Sequence, residues 1–179
     1  MRVVVAVMIA FYPLLVYFGI GRFEPKWLAL MLCALALLRA VVARERFWLG
    51  AAFGALLLAG ASILSNQLFP LKLYPVLVNA VLFIAFFSSL LRPPSMIERL
   101  ARLREPELPP QAVAYTRRVT QVWCLFFALN GAAALATVQW GSDAVWVLYN
   151  GLIAYVLMAM LFAAEWLVRR RVRARAAHG

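Results

Sequence analysis

Apolar residues in this chain come in long blocks, without the alternation of a strand or the one-sided stripe of a surface helix. Six blocks stand out, at 3–20, 27–43, 47–64, 74–91, 119–138 and 144–168. A hydrocarbon core about 30 Å thick needs about 20 mostly apolar residues per helix, so each block predicts one membrane-spanning helix. The expected fold is therefore all-α: a single polytopic membrane domain over 1–179, built as a six-transmembrane-helix bundle. Arg39, near the end of the second block, can snorkel to an interface. A secretory signal competes for the first block because Arg2 precedes it. No small-x-small cleavage site follows, and Gly21-Arg22-Phe23-Glu24 reads as a tight turn between helices, which favours a span.

Composition strengthens this reading. Of the 179 residues 66% are hydrophobic and 14% charged, against roughly 45–50% and about 25% in a soluble domain. One soluble core cannot bury that much apolar surface and remain wettable. The formal charge is +11, from 18 Lys and Arg against 7 Asp and Glu. In a soluble chain such a balance points first to nucleic acid. On an apolar background the expected partner is a bilayer with anionic headgroups, and no nucleic acid.

The basic residues also give an orientation. With the N-terminus inside, the cytoplasmic side collects Arg2, the group Arg39, Arg44 and Arg46, the six arginines from Arg92 to Arg118, and five from Arg169 to Arg175, fifteen in all. The opposite side keeps only Arg22, Lys26 and Lys72. A bias of this size over short loops predicts both termini in the cytoplasm.

The connection 92–118 is the only long one. Pro93-Pro94 stops the fourth helix, and Ser95-Met96-Ile97-Glu98 has the pattern of a capping box, in which each side chain answers the other's backbone amide. A short helix is expected from Ser95, with Met96, Ile97, Leu100 and Leu103 on one face and Glu98 and Arg102 paired four residues apart. Such a helix suits the cytoplasmic headgroup layer. The stretch from Arg104 to Pro110, with three prolines, ends it. Ser95, Glu98, Arg99, Arg102, Arg117 and Arg118 form a candidate docking surface; a plain solvated connector is the other reading.

Within the blocks, Asn79, Asn130 and Asn150 are the notable polar groups. At 1.5 Å per residue they lie about 8, 12 and 9 Å below the external ends of their helices, a depth at which they can converge. An amide in hydrocarbon needs partners, so the layer is either interhelical glue or a pocket for a headgroup. Gly131 beside Asn130 would let another backbone approach closely. Lys72 and Asp143 fall in the external loops, where they can pair, and Glu165 can pair with Arg169 four residues on. Cys33 and Cys124 sit in apolar runs as small hydrophobes, and the one histidine is His178, next to the C-terminus. No metal-ligand cluster, Walker loop, GxSxG elbow or nucleophile–base pair is legible, so no catalytic residue, cofactor or metal is expected and an enzyme is the weaker reading.

The segments Lys72-Leu73-Tyr74-Pro75-Val76-Leu77-Val78-Asn79, Pro93-Pro94-Ser95-Met96-Ile97-Glu98-Arg99-Leu100-Ala101-Arg102, and Leu108-Pro109-Pro110 through Tyr115-Thr116-Arg117 to Trp123-Cys124-Leu125-Phe126-Phe127-Ala128-Leu129-Asn130-Gly131 carry a resemblance. Over Pro70 to Gly131 the chain resembles a family of small uncharacterised bacterial inner-membrane proteins encoded beside fatty-acid-like and polyketide-like synthases, notably in aryl polyene pigment clusters. The resemblance implies an accessory or scaffold role in making, holding or moving an acyl or aryl-polyene lipid. It also implies acyl carrier or synthase proteins as partners, and it brings no catalytic residue. A small transporter or flippase component is the alternative function, and an integral membrane acyltransferase the third.

Overall fold

A computed structural model describes residues 46–65 and 69–176, together with Glu24, Trp27, Leu30, Met31, Ala34 and Gln67. The expected span at 3–20, the turn apart from Glu24, and Arg39, Cys33 and His178 fall outside the described residues. So does the block at 27–43 except for Trp27, Leu30, Met31 and Ala34, which are helical.

Among the described residues every regular element is a helix. They are α1 (Arg46–Ser65), α2 (Phe69–Lys72), α3 (Tyr74–Leu91), α4 (Met96–Arg102), α5 (Pro110–Trp140), α6 (Asp143–Leu148), a π-helical segment (Tyr149–Ile153) and α7 (Ala154–Ala176). Three stretches are long and apolar enough to cross a membrane: Phe69–Leu91, Pro110–Trp140 and Asp143–Arg171, with Phe53–Ser65 a shorter apolar helix. The first is α2 and α3 joined through Leu73, whose amide donates to the Pro70 carbonyl at 3.2 Å. Pro75 is tolerated because it sits in the first turn of α3, where its missing N–H would have had no intrahelical partner.

One boundary differs from the sequence reading. The fifth helix, expected from residue 119, begins at Pro110 and runs for 31 residues, about 46 Å. The prolines of the connector end a helix only when they follow it. Pro110 stands in the opening turn of α5, and Pro109, extended at φ −64° and ψ 153°, leads into it. The irregular stretch between α4 and α5 is accordingly confined to Leu103–Pro109.

The packing is by narrow seams. On α1, Ala55, Ala59 and Ser62 are buried along one stripe, and a Cβ on Gly54 would lie 2.9 Å from a Leu77 methyl of α3. Small residues of this kind let helix backbones approach where no hydrophobic effect drives them together. The antiparallel pair α3 and α5 surrounds an aromatic core. Val119, Trp123 and Phe127 are buried, with Phe86 edge-on to Phe127 at 5.1 Å and Phe162 of α7 at 4.6 Å from Trp123. Outside the seams the surface is apolar: Leu64, Ile84, Leu91, Leu125, Leu129, Met160 and Leu167 are all at least half exposed. A soluble monomer rarely presents such a surface, which is compatible with a membrane protein.

Candidate functional site

The polar side chains within the bundle form successive rungs across the helices. At one end Lys72 forms an ion pair with Asp143, the first residue of α6. The indole N–H of Trp146, fully buried, donates to the Lys72 carbonyl at 3.1 Å. A carboxylate in the opening turn of α6 also meets the positive end of that helix. Ser142 caps the turn, its hydroxyl accepting from the Val145 amide at 3.3 Å.

Next comes the amide layer. Asn79 and Asn130 are both 7% exposed, and their side chains meet, Asn130 Nδ2 donating to Asn79 Oδ1 at 3.1 Å. Asn79 Nδ2 donates back to the Pro75 carbonyl at 2.8 Å. The Tyr149 hydroxyl donates to Asn130 Oδ1 at 2.9 Å. Three helical stretches are thereby joined by one chain of donors and acceptors. Gly131 permits it: a Cβ there would lie 3.1 Å from Asn79 Cβ, a distance that would push α3 away from α5. Asn150 is buried too but does not join the other two. Its amide donates to Thr137 Oγ1 at 3.1 Å and to the Trp146 carbonyl at 2.8 Å. Equal counting depth therefore did not bring three carboxamides together. Thr137 stands about 10 Å from Asn130 along α5 at 1.5 Å per residue, and Tyr149 spans the difference with its long side chain. The wider turn of the π-helical segment lets the consecutive residues Tyr149 and Asn150 both address α5. Such single-turn π segments are often found at functional sites.

The arginine-rich end is organised around α4. Its first residue is Met96 with Ser95 as N-cap, as the sequence predicts. The expected capping box is present, with the Ser95 side chain facing the Glu98 amide, but its serine arm is loose. Glu98 Oε2 accepts from the Ser95 amide at 3.3 Å, but the buried Ser95 hydroxyl, although turned toward the helix, makes no hydrogen bond. Two orphan amides of the first turn are satisfied by neighbouring helices instead: Met96 N–H donates to Ser89 Oγ at 2.8 Å, and Ile97 N–H to Thr120 Oγ1 at 3.3 Å. Both hydroxyls also donate along their own helices, Ser89 to the Phe86 carbonyl and Thr120 to the Thr116 carbonyl.

The expected face of α4 is split as a result. Ile97 packs on the Val119, Trp123 and Phe127 core, while Leu100 and Leu103 are 53% and 81% exposed. Glu98, expected at the surface, is buried, and Arg102 pairs with it at 2.8 Å while also reaching the Pro106 carbonyl at 2.9 Å. Arg99 donates to the carbonyls of Pro94 (2.8 Å) and Arg92 (3.3 Å). Arg117 and Arg118 are exposed on α5. On the α7 side Arg169 pairs with Glu165 at 2.6 Å, and the Tyr115 hydroxyl donates to the same carboxylate at 3.3 Å.

Of the residues joined to these rungs, Tyr149, Thr137, Ser89 and Thr120 do not stand out in the sequence. Tyr149-Asn150 was the available signal, a polar pair in an apolar block; hydroxyls in helices carry little, because they can bond to their own backbone. Among the described residues no group of three or more His, Cys, Asp and Glu side chains could hold a metal ion. Comparison of the chain with protein-family models, curated proteins and solved structures finds no match.

Proposed function

We propose that this chain is a six-span bacterial inner-membrane protein with both termini in the cytoplasm. Its role in this reading is that of an accessory scaffold in the synthesis, holding or movement of an acyl or aryl-polyene lipid. The observation that carries the scaffold reading is the shared hydrogen bonding at Asn79 and Asn130: each carboxamide is engaged by Pro75, Tyr149 or its counterpart. Polar groups so engaged across three helical stretches hold those helices together. The arginine-rich end with α4 is then the docking side of the scaffold. Apolar helices flanked by fifteen basic residues on one side and three on the other support the orientation.

The test is deletion of the gene with mass-spectrometric profiling of extractable lipids and pigments, complemented by wild type and by Asn130→Ala. A scaffold predicts an altered profile that Asn130→Ala restores in proportion to its abundance. Loss of output from an abundant, folded Asn130→Ala protein would refute the scaffold and favour a site. A small transporter component is the second reading, favoured by the π-helical turn lying directly beside the layer.

A further inference from the structure

We propose that the outward flank of α4 docks on an anionic phospholipid surface, leucines in the headgroup–acyl boundary and arginines on the phosphates. The inference rests on the membrane reading above and names the partner of its docking side. On a 3.6-residue turn Met96, Leu100 and Leu103 fall within an arc of about 60°, with Arg99 about 40° beyond Leu103. The opposite arc, Ile97, Ala101 and Glu98, is the one turned into the protein. An apolar flank edged by arginine is the pattern of a helix lying in a bilayer interface.

Anchoring fixes the depth. The bonds from Met96 to Ser89 and from Ile97 to Thr120 hold the start of α4 beside the last turn of α3 and against the body of α5. At the same end of α3, Phe87 and Leu91 are also 46% and 68% exposed. A soluble partner would need those leucines lifted clear of the bilayer, which the two anchors oppose. Charge favours the same occupant: Arg92, Arg99, Arg104, Arg117 and Arg118 are exposed, against Glu105 and Glu107. The two carbonyl bonds of Arg99 hold its guanidinium in place while leaving N–H groups for a phosphate oxygen.

The full chain is reconstituted in nanodiscs of phosphatidylcholine alone or mixed with phosphatidylglycerol, and amide hydrogen exchange is followed over 97–104. Exchange should slow in the phosphatidylglycerol discs, and high salt should remove the gain. Arg104→Gln should weaken docking about fivefold, the contribution of one arginine near an anionic surface. Leu103→Gln should also reduce protection; both side chains are exposed, so neither change endangers the fold. Equal exchange in the two discs overturns the proposal. It is likewise overturned if inorganic phosphate, or a soluble polyglutamate peptide, gives the protection in phosphatidylcholine discs. A chain that enters the discs but shows no difference refutes the docking alone, whereas a chain that enters neither disc refutes the membrane reading with it.

Discussion

Replacing Asn130 with alanine removes two hydrogen bonds at once, the buried donation to Asn79 Oδ1 at 3.1 Å and the part-buried acceptance from the Tyr149 hydroxyl at 2.9 Å. Interhelical hydrogen bonds within membranes average about 0.6 kcal/mol and reach about 1.7, so the two together predict a loss of about 1–3 kcal/mol. Tyr149→Phe removes only one of them and should cost about 0.6 kcal/mol. The pair Asn79→Ala and Asn130→Ala should be non-additive by about 0.6–1.7 kcal/mol, because each single change already destroys their shared bond. Asn150→Ala, whose partners are Thr137 and Trp146, should add to Asn130→Ala without coupling. Reversible unfolding in mixed micelles, followed by far-UV circular dichroism, measures all of these. An Asn130→Ala loss no larger than that of Tyr149→Phe, or additive behaviour of the Asn79 and Asn130 changes, would refute the account of the layer as a mutually satisfied unit.

Reporter fusions placed after Gly179 and within Pro106–Pro110 should both read cytoplasmic; a periplasmic result at either point contradicts the six-span topology. Gly131→Ala should be more destabilising than Gly54→Ala in the same unfolding assay, since the new methyl meets the Cβ of Asn79 in one case and a mobile Leu77 methyl in the other. At α4, Ser95→Ala should change stability by less than about 0.5 kcal/mol because the hydroxyl has no partner to lose. Glu98→Ala should cost about 1–3 kcal/mol by stranding Arg102 and the Ser95 amide; hydrogen exchange over 95–104 separates the two outcomes.

Among the described residues the helical blocks were legible because length and hydropathy alone specify a helix in an apolar medium, where no other open backbone arrangement is satisfied. That is why α1 and α3 lie within a residue of the boundaries read from the sequence. The start of α5 was misjudged because proline density argues against helix only when position is ignored; Pro110 occupies the one place in a helix that suits it. Helix rotation was the larger gap. Depth can be counted from a sequence, but which of Asn79, Asn130 and Asn150 meet depends on the wide turn at Tyr149–Ile153, and no residue type announces such a turn. For α4 the Ser95–Glu98 pattern located the helix correctly while hiding its mechanism. The donors of the first turn find Ser89 and Thr120, residues 7 and 23 positions away, contacts that local pattern cannot supply.

The unbroken length of α5 makes it a strut. From Pro110 to Asn130 it measures about 30 Å and from Asn130 to Trp140 about 15 Å at 1.5 Å per residue. The Asn130 contacts to Asn79 and Tyr149 divide it into arms in a ratio of about two to one, and the longer is held along its length by Thr120 and the Val119, Trp123 and Phe127 core. The long arm ends in the connector that leads back to α4, and the short arm ends next to Gly141, Ser142 and the Lys72–Asp143 pair. A sideways push at Pro110 would have to strain those contacts before it reached Trp140, because a continuous helix transmits tilt without a joint to absorb it.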